Sequence, residues 1–69
     1  GAEDVADRLA PLPLAALRIG AETQRLLHRL GLKTIGALAE MPRSALMRRF
    51  ANMEAGHNPL ILLDRAMGR

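Results

Sequence analysis

Apolar residues recur along this chain at three- and four-residue intervals and nowhere alternate with polar ones, so the pattern predicts helices and no strand. The clearest helix runs from Ala21 to Leu30. Leu26, Leu27 and Leu30 share one face, while Gln24, Arg25, His28 and Arg29 lie largely on the other. Gly20 opens it and Gly31 closes it. A glycine at each turn lets the chain reverse without a β-carbon in the way and leaves the turn amides bare. The Thr34 hydroxyl is placed to accept from the amides that open the next helix, Ile35 to about Met41, which offers Ile35, Leu38 and Ala39 to a core. Pro42 stops that helix and opens another, to about Ala51, with Leu46, Met47 and Phe50 as its inward stripe. After a polar connection, Asn58 is a good cap and Pro59 a good first residue for a last helix to about Met67. Its first turns are apolar nearly all round, which predicts a deep position. Upstream, Pro13 suits the first position of a short helix to Leu17, with Leu14 and Leu17 inward. Residues 1–10 hold Val5 and Leu9 one turn apart but little other apolar bulk. They read as a linker or arm from an upstream domain with at most a frayed helix, and 11–69 as the domain. The predicted fold class is all-α, a compact bundle of four to five short helices.

Composition narrows what such a bundle can do. A chain of 69 residues is one small domain or a piece of a longer protein. Domains of about 60 residues bury only about 60% of their unfolded surface, so modest stability is expected. With no cysteine, disulfides and thiolate metal sites are excluded. Phe50 is the one aromatic residue, so the core must be Leu, Ile, Met and Ala, and aromatic base-stacking platforms are excluded. No apolar run approaches the roughly 18 residues of a membrane span and no signal peptide is visible, so the chain reads as intracellular and soluble with no membrane partner. No Ser-His-Asp set, paired carboxylates or phosphate loop is present, and His28 and His57 lack ligand-spaced partners. Neither a catalytic site, a metal nor a cofactor is expected.

The net charge of +3 comes mainly from arginine, whose planar fork can donate two hydrogen bonds to one phosphate. Three places could use it. The first turn, Leu17–Ala21, presents Arg18 and the amides opening a helix, where unpaired N–H groups and the helix dipole favour anions. The second turn, Leu30–Thr34, is built as a turn, with Gly31 as left-handed cap and Leu32 as core plug, and Lys33 can reach a phosphate. Arg43, Arg48 and Arg49, with Asn52, Gly56 and His57 behind them, could form a second edge. The plainer alternatives are ordinary connections between packed helices and solvated arginines on a surface helix. Two other functions compete. One is a protein-interaction module docking through the last helix and the methionines. The other is a helix-turn-helix with Ile35–Met41 in a major groove, which lacks Arg, Asn, Gln or Lys to read bases.

Residues 18–69 resemble the small helical thumb region of Y-family translesion DNA polymerases. The similarity lies in Ile19-Gly20, Thr23, Leu27, the run Leu30-Gly31-Leu32-Lys33-Thr34-Ile35-Gly36 with Leu38-Ala39, then Leu46, Arg48-Arg49-Phe50 and the closing Leu62 to Arg69. LPLAALRI at the front and DRAMGR at the end look closest to the ImuB-type branch. The resemblance implies a double helix-hairpin-helix (SAM-like) arrangement that grips duplex or primer-template DNA by its backbone. The implied contacts are Arg18, Ile19, Gly20, Ala21, Thr23, Lys33, Arg48 and Arg49. It also implies a non-catalytic piece, since the polymerase acids lie in a palm domain outside this chain. The expected setting is a monomeric domain in the bacterial cytoplasm, associated with the nucleoid. The implied wider role is in damage tolerance and induced mutagenesis, with the sliding clamp and an error-prone replicative-type polymerase met through other parts of the protein. Two positions depart from the pattern of active relatives. Arg18 stands where they carry the first glycine of Gly-Ile-Gly, and Phe50-Ala51 stands where they tend to have Phe-Gly.

Overall fold

The computed structural model describes residues 2–68. Among them five α-helices form: α1 (Ala2–Leu9), α2 (Ala21–Arg29), α3 (Ile35–Ala39), α4 (Arg43–Arg49) and α5 (Pro59–Ala66). A short 3₁₀ helix, Leu14–Leu17, precedes α2. No strand is present among the described residues, only one antiparallel bridge between Pro13 and Thr34. No helix there is long and apolar enough to cross a membrane. The all-α bundle predicted from the apolar periodicity is the observed fold.

One core runs through it. Leu14 and Leu17 of the 3₁₀ helix, Leu27, Ile35 and Leu38, Leu46 and Phe50, and Leu60, Leu63 and Met67 are all buried, with Ile19 and Leu32 reaching in from the two turns that flank α2. Within the segment read as an arm, Ala6 and Leu9 of α1 pack against this core. Every helix contributes only one narrow stripe, because none exceeds nine residues.

Three residues expected in the core lie outside it. Leu30 is 45% exposed: it follows the last helical residue of α2, and the chain then turns through Gly31 at φ +86°, so Leu32 takes the inward place instead. Met47 is 57% exposed, since Leu46 and Phe50, four apart, fill the single buried stripe of α4. Ala39 is exposed, with Ile35 and Leu38 facing in and Ala37 half-buried. The last helix is also less deep than its composition suggests. Leu60 and Leu63 are buried but Ile61 and Leu62 only half so.

Helix ends are closed by a small number of bonds. The Thr34 hydroxyl accepts from the Ala37 amide at 3.1 Å, as the sequence predicts. The other opening amides of α3 are met from further away. Ile35 donates to the Leu12 carbonyl and Gly36 to the Ala10 carbonyl, each at 2.9 Å, while Leu14 donates back to Lys33 at 3.2 Å. A short antiparallel clamp thus binds the segment before the 3₁₀ helix to the turn before α3. Gly36 makes it fit, because a β-carbon there would lie 3.0 Å from the Ala10 oxygen. At α5, Asn58 serves two helices at once. Its Oδ1 accepts from Leu60 (2.9 Å) and Ile61 (3.4 Å), and its Nδ2 donates to the Phe50 carbonyl at the end of α4 (2.9 Å).

Candidate nucleic-acid interface

The two ends of α2 differ in chemistry. At its start, Gly20 is the N-cap and makes no side-chain cap bond, and among the described residues the Ala21, Glu22 and Thr23 amides have no acceptor. Gln24 is the first to bond back, to the Gly20 carbonyl. A helix must leave such amides open to water or to a ligand, and its dipole makes the spot favourable for an anion. The corresponding amides of α3 are all occupied by Leu12, Ala10 and Thr34, and those of α5 by Asn58. At α4 the Arg43 and Ser44 amides are also open, but a carboxylate, that of Asp64, sits on the Arg43 side chain.

Gly20 itself has no internal reason to be glycine. Its φ is −59° and a β-carbon would meet nothing within 4 Å. Arg18, two residues earlier, has the opposite property. It adopts φ 60° and ψ 34°, the left-handed conformation that costs a side-chain-bearing residue about 1 kcal/mol or more. It is the one non-glycine residue with positive φ among those described. Arg18 thus holds a conformation that glycine adopts without strain, and it mounts an exposed side chain on the turn. Ala51 needs no such conformation, as its φ is not positive. Ile19 is buried, so only its backbone can face outward, while Ala21 is exposed and Thr23 half-buried.

Eight residues were expected to act together, and the fold divides them. Arg18 to Thr23 gather at the start of α2. The loop before α5 lies beside them: Gly20, Ala21, Glu22 and Thr23 share an open hollow with Met53, Glu54 and His57. Glu22 and Glu54 add negative charge to this hollow, which works against a phosphate there. The proximity of Glu54 is a long-range consequence of packing and has no signal in the local sequence. Arg48 and Arg49 lie elsewhere, lining a separate hollow with Leu30 at the far end of α2. His57, grouped with them from the sequence, belongs with Gly20 instead. Lys33 is exposed in the turn after α2 and joins neither hollow.

Arg43 is not available to a ligand. Its guanidinium makes a two-pronged contact with Asp64 on α5, 3.0 Å to Oδ1 and 2.6 Å to Oδ2. The hydrogen bond, and then the charge of Asp64, raise Arg43 above the ordinary arginine value. No group of three or more potential metal ligands occurs among the described residues.

No family model and no solved structure matches the chain. Among curated proteins it is similar to Protein ImuB of Caulobacter vibrioides, in strains NA1000/CB15N and ATCC 19089/CIP 103742/CB 15. Identity to each is 40% over 60 residues, which is 87% of this chain. The chain spans 12% of the length of these relatives. The similarity is thus to one small part of a much longer protein.

Proposed function

We propose that this chain is a duplex-DNA backbone-binding domain of a polymerase-like protein that acts in DNA damage tolerance and induced mutagenesis. In this reading the 3₁₀ helix, the turn at Arg18–Gly20 and α2 form a helix-hairpin-helix unit. The observation that carries it is the open start of α2, where three amides without acceptors stand behind a glycine that nothing internal requires. A phosphate oxygen would accept from those amides, with the Arg18 guanidinium beside it. Ile19 holds the turn against the core, and the absent β-carbon at Gly20 lets the backbone approach closely. Such contacts position a duplex without reading its sequence. Glu22 and Glu54 work against it, which favours a weak contact over a general polyanion surface. Similarity to ImuB supports the setting in damage tolerance and mutagenesis; that other parts of the full protein meet a sliding clamp and an error-prone polymerase is what the resemblance to Y-family polymerases implies. The domain contributes binding and no chemistry.

The test is a titration with primer-template duplex at low salt, followed by fluorescence anisotropy and amide chemical shifts. Roughly two to four phosphate contacts give a log–log salt slope of about −2 to −4, independent of sequence. Gly20→Ala should weaken binding while leaving stability within about 0.5 kcal/mol, as expected at an unpacked surface position. Unmoved amides at Arg18 to Thr23 would refute the reading.

The competing module that docks through its last helix finds less support. Met67 is buried, so Ile61, Leu62 and Met67 do not form one exposed face.

A further inference from the structure

The hollow at the far end of α2 has a composition that phosphate binding does not explain. Leu30, Met41, Ala45 and Leu46 make its apolar wall, and Arg48 and Arg49 stand on its edge, around an open volume of about 420 Å³. Leu30 is 45% exposed there. Neither arginine side chain makes a hydrogen bond or ion pair among the described residues, and no acid lines the hollow. A phosphodiester would use the arginines but gain nothing from the leucines and methionine. Apolar surface is worth covering only with apolar surface, at about 25 cal/mol per Å² removed from water. Two unpaired guanidinium forks beside that surface suit carboxylates, which accept from an arginine fork in pairs.

We propose that this groove is a docking site for a protein partner, specifically an acidic amphipathic segment that sets aliphatic side chains against Leu30 and Met41 and carboxylates against Arg48 and Arg49. Charge complementarity selects such a segment over a neutral or basic one. The groove and the open start of α2 share no residue and lie at opposite ends of α2, whose nine residues at about 1.5 Å each span about 13 Å. Different residues therefore carry the two contacts. The groove does not depend on the DNA contact, and either can fail alone.

Two blocked peptides of equal length serve as probes, each with leucines at helical spacing, one filled with glutamate and the other with lysine. In amide chemical-shift titrations the glutamate peptide should move Leu30, Ala45, Arg48 and Arg49 saturably, and the lysine peptide should not. Reversing both charges, Arg48→Glu with Arg49→Glu, should weaken the glutamate peptide by about tenfold. Leu30→Ser should weaken it through the apolar contact alone. All three positions are exposed, so the variants are expected to fold, which thermal unfolding checks. Primer-template duplex added to the peptide complex should leave the groove shifts in place. No saturable shift, equal binding of both peptides, or insensitivity to charge reversal overturns the proposal. Displacement of the peptide by duplex overturns it in favour of a nucleic-acid contact.

Discussion

Arg18 and Gly20 have exchanged their usual roles. A left-handed conformation normally calls for glycine, yet Arg18 holds it, and Gly20 holds an ordinary one. If the turn were shaped for stability alone, Arg18→Gly would be favoured. Relief of the left-handed strain, about 1 kcal/mol, outweighs most of the extra chain entropy that glycine brings to the unfolded state. The expected result is a gain of about 0.5 kcal/mol, or a melting temperature higher by roughly 2–4 °C. On the DNA reading the same variant should bind duplex more weakly, so the two measurements should move in opposite directions. Gly36 is the reverse case, required by its surroundings. Its β-carbon position lies 3.0 Å from the Ala10 oxygen, the atom that accepts from its own amide. That oxygen cannot retreat without losing the bond. Gly36→Ala should therefore destabilise by about 1 kcal/mol despite alanine's better helix propensity, read by urea or thermal unfolding. Thr34 and Gly31 were legible in the sequence because their partners lie within a few residues. Gly36 was not, since Ala10 lies well outside any local window.

Each helix is too short to be stable by itself and depends on how its ends are closed. Asn58 shows this most clearly, because its side chain caps α5 and holds the end of α4 through Phe50. Asn58→Ala removes the cap and one of the two donors to the Phe50 carbonyl, which keeps its bond from the Met53 amide at 3.1 Å, and should cost about 1–2 kcal/mol. Asn58→Asp keeps the acceptor and loses the donor, so it should fall between. A cost-free aspartate would show that the bond to Phe50 contributes nothing. The cap could be read from Asn-Pro ahead of an apolar run, whereas the bond to Phe50 could not. Misplaced core residues have a related cause. Helical spacing gives the direction of a side chain but not the width of the surface it meets. Leu30 and Met47 are correctly periodic, yet stripes this narrow leave them outside.

At the scale of the whole molecule, α4 and α5 are tied across their outer faces by Arg43 and Asp64, 21 positions apart. Because Arg43 is raised above its ordinary value, its share of stability is fully present below the ordinary arginine range and lost only as pH rises through the higher folded value. Stability should therefore not fall on that account across the neutral range, and Arg43→Ala should lower the melting temperature only slightly, as for an exposed pair. The apolar periodicity, the glycines and the caps by themselves determined an all-α bundle, the order of its helices and the turn where anion-binding amides could stand. These are local properties, fixed within one or two helical turns. Packing decided the rest: it brought the Leu12 and Ala10 carbonyls to the Ile35 and Gly36 amides of α3 and no acceptor to the first amides of α2. It also brought Glu54 beside Gly20, paired Arg43 with Asp64 and sent Arg48 and Arg49 to a groove of their own. Those are contacts between distant parts of the chain, and a one-dimensional pattern holds no record of which surfaces will meet.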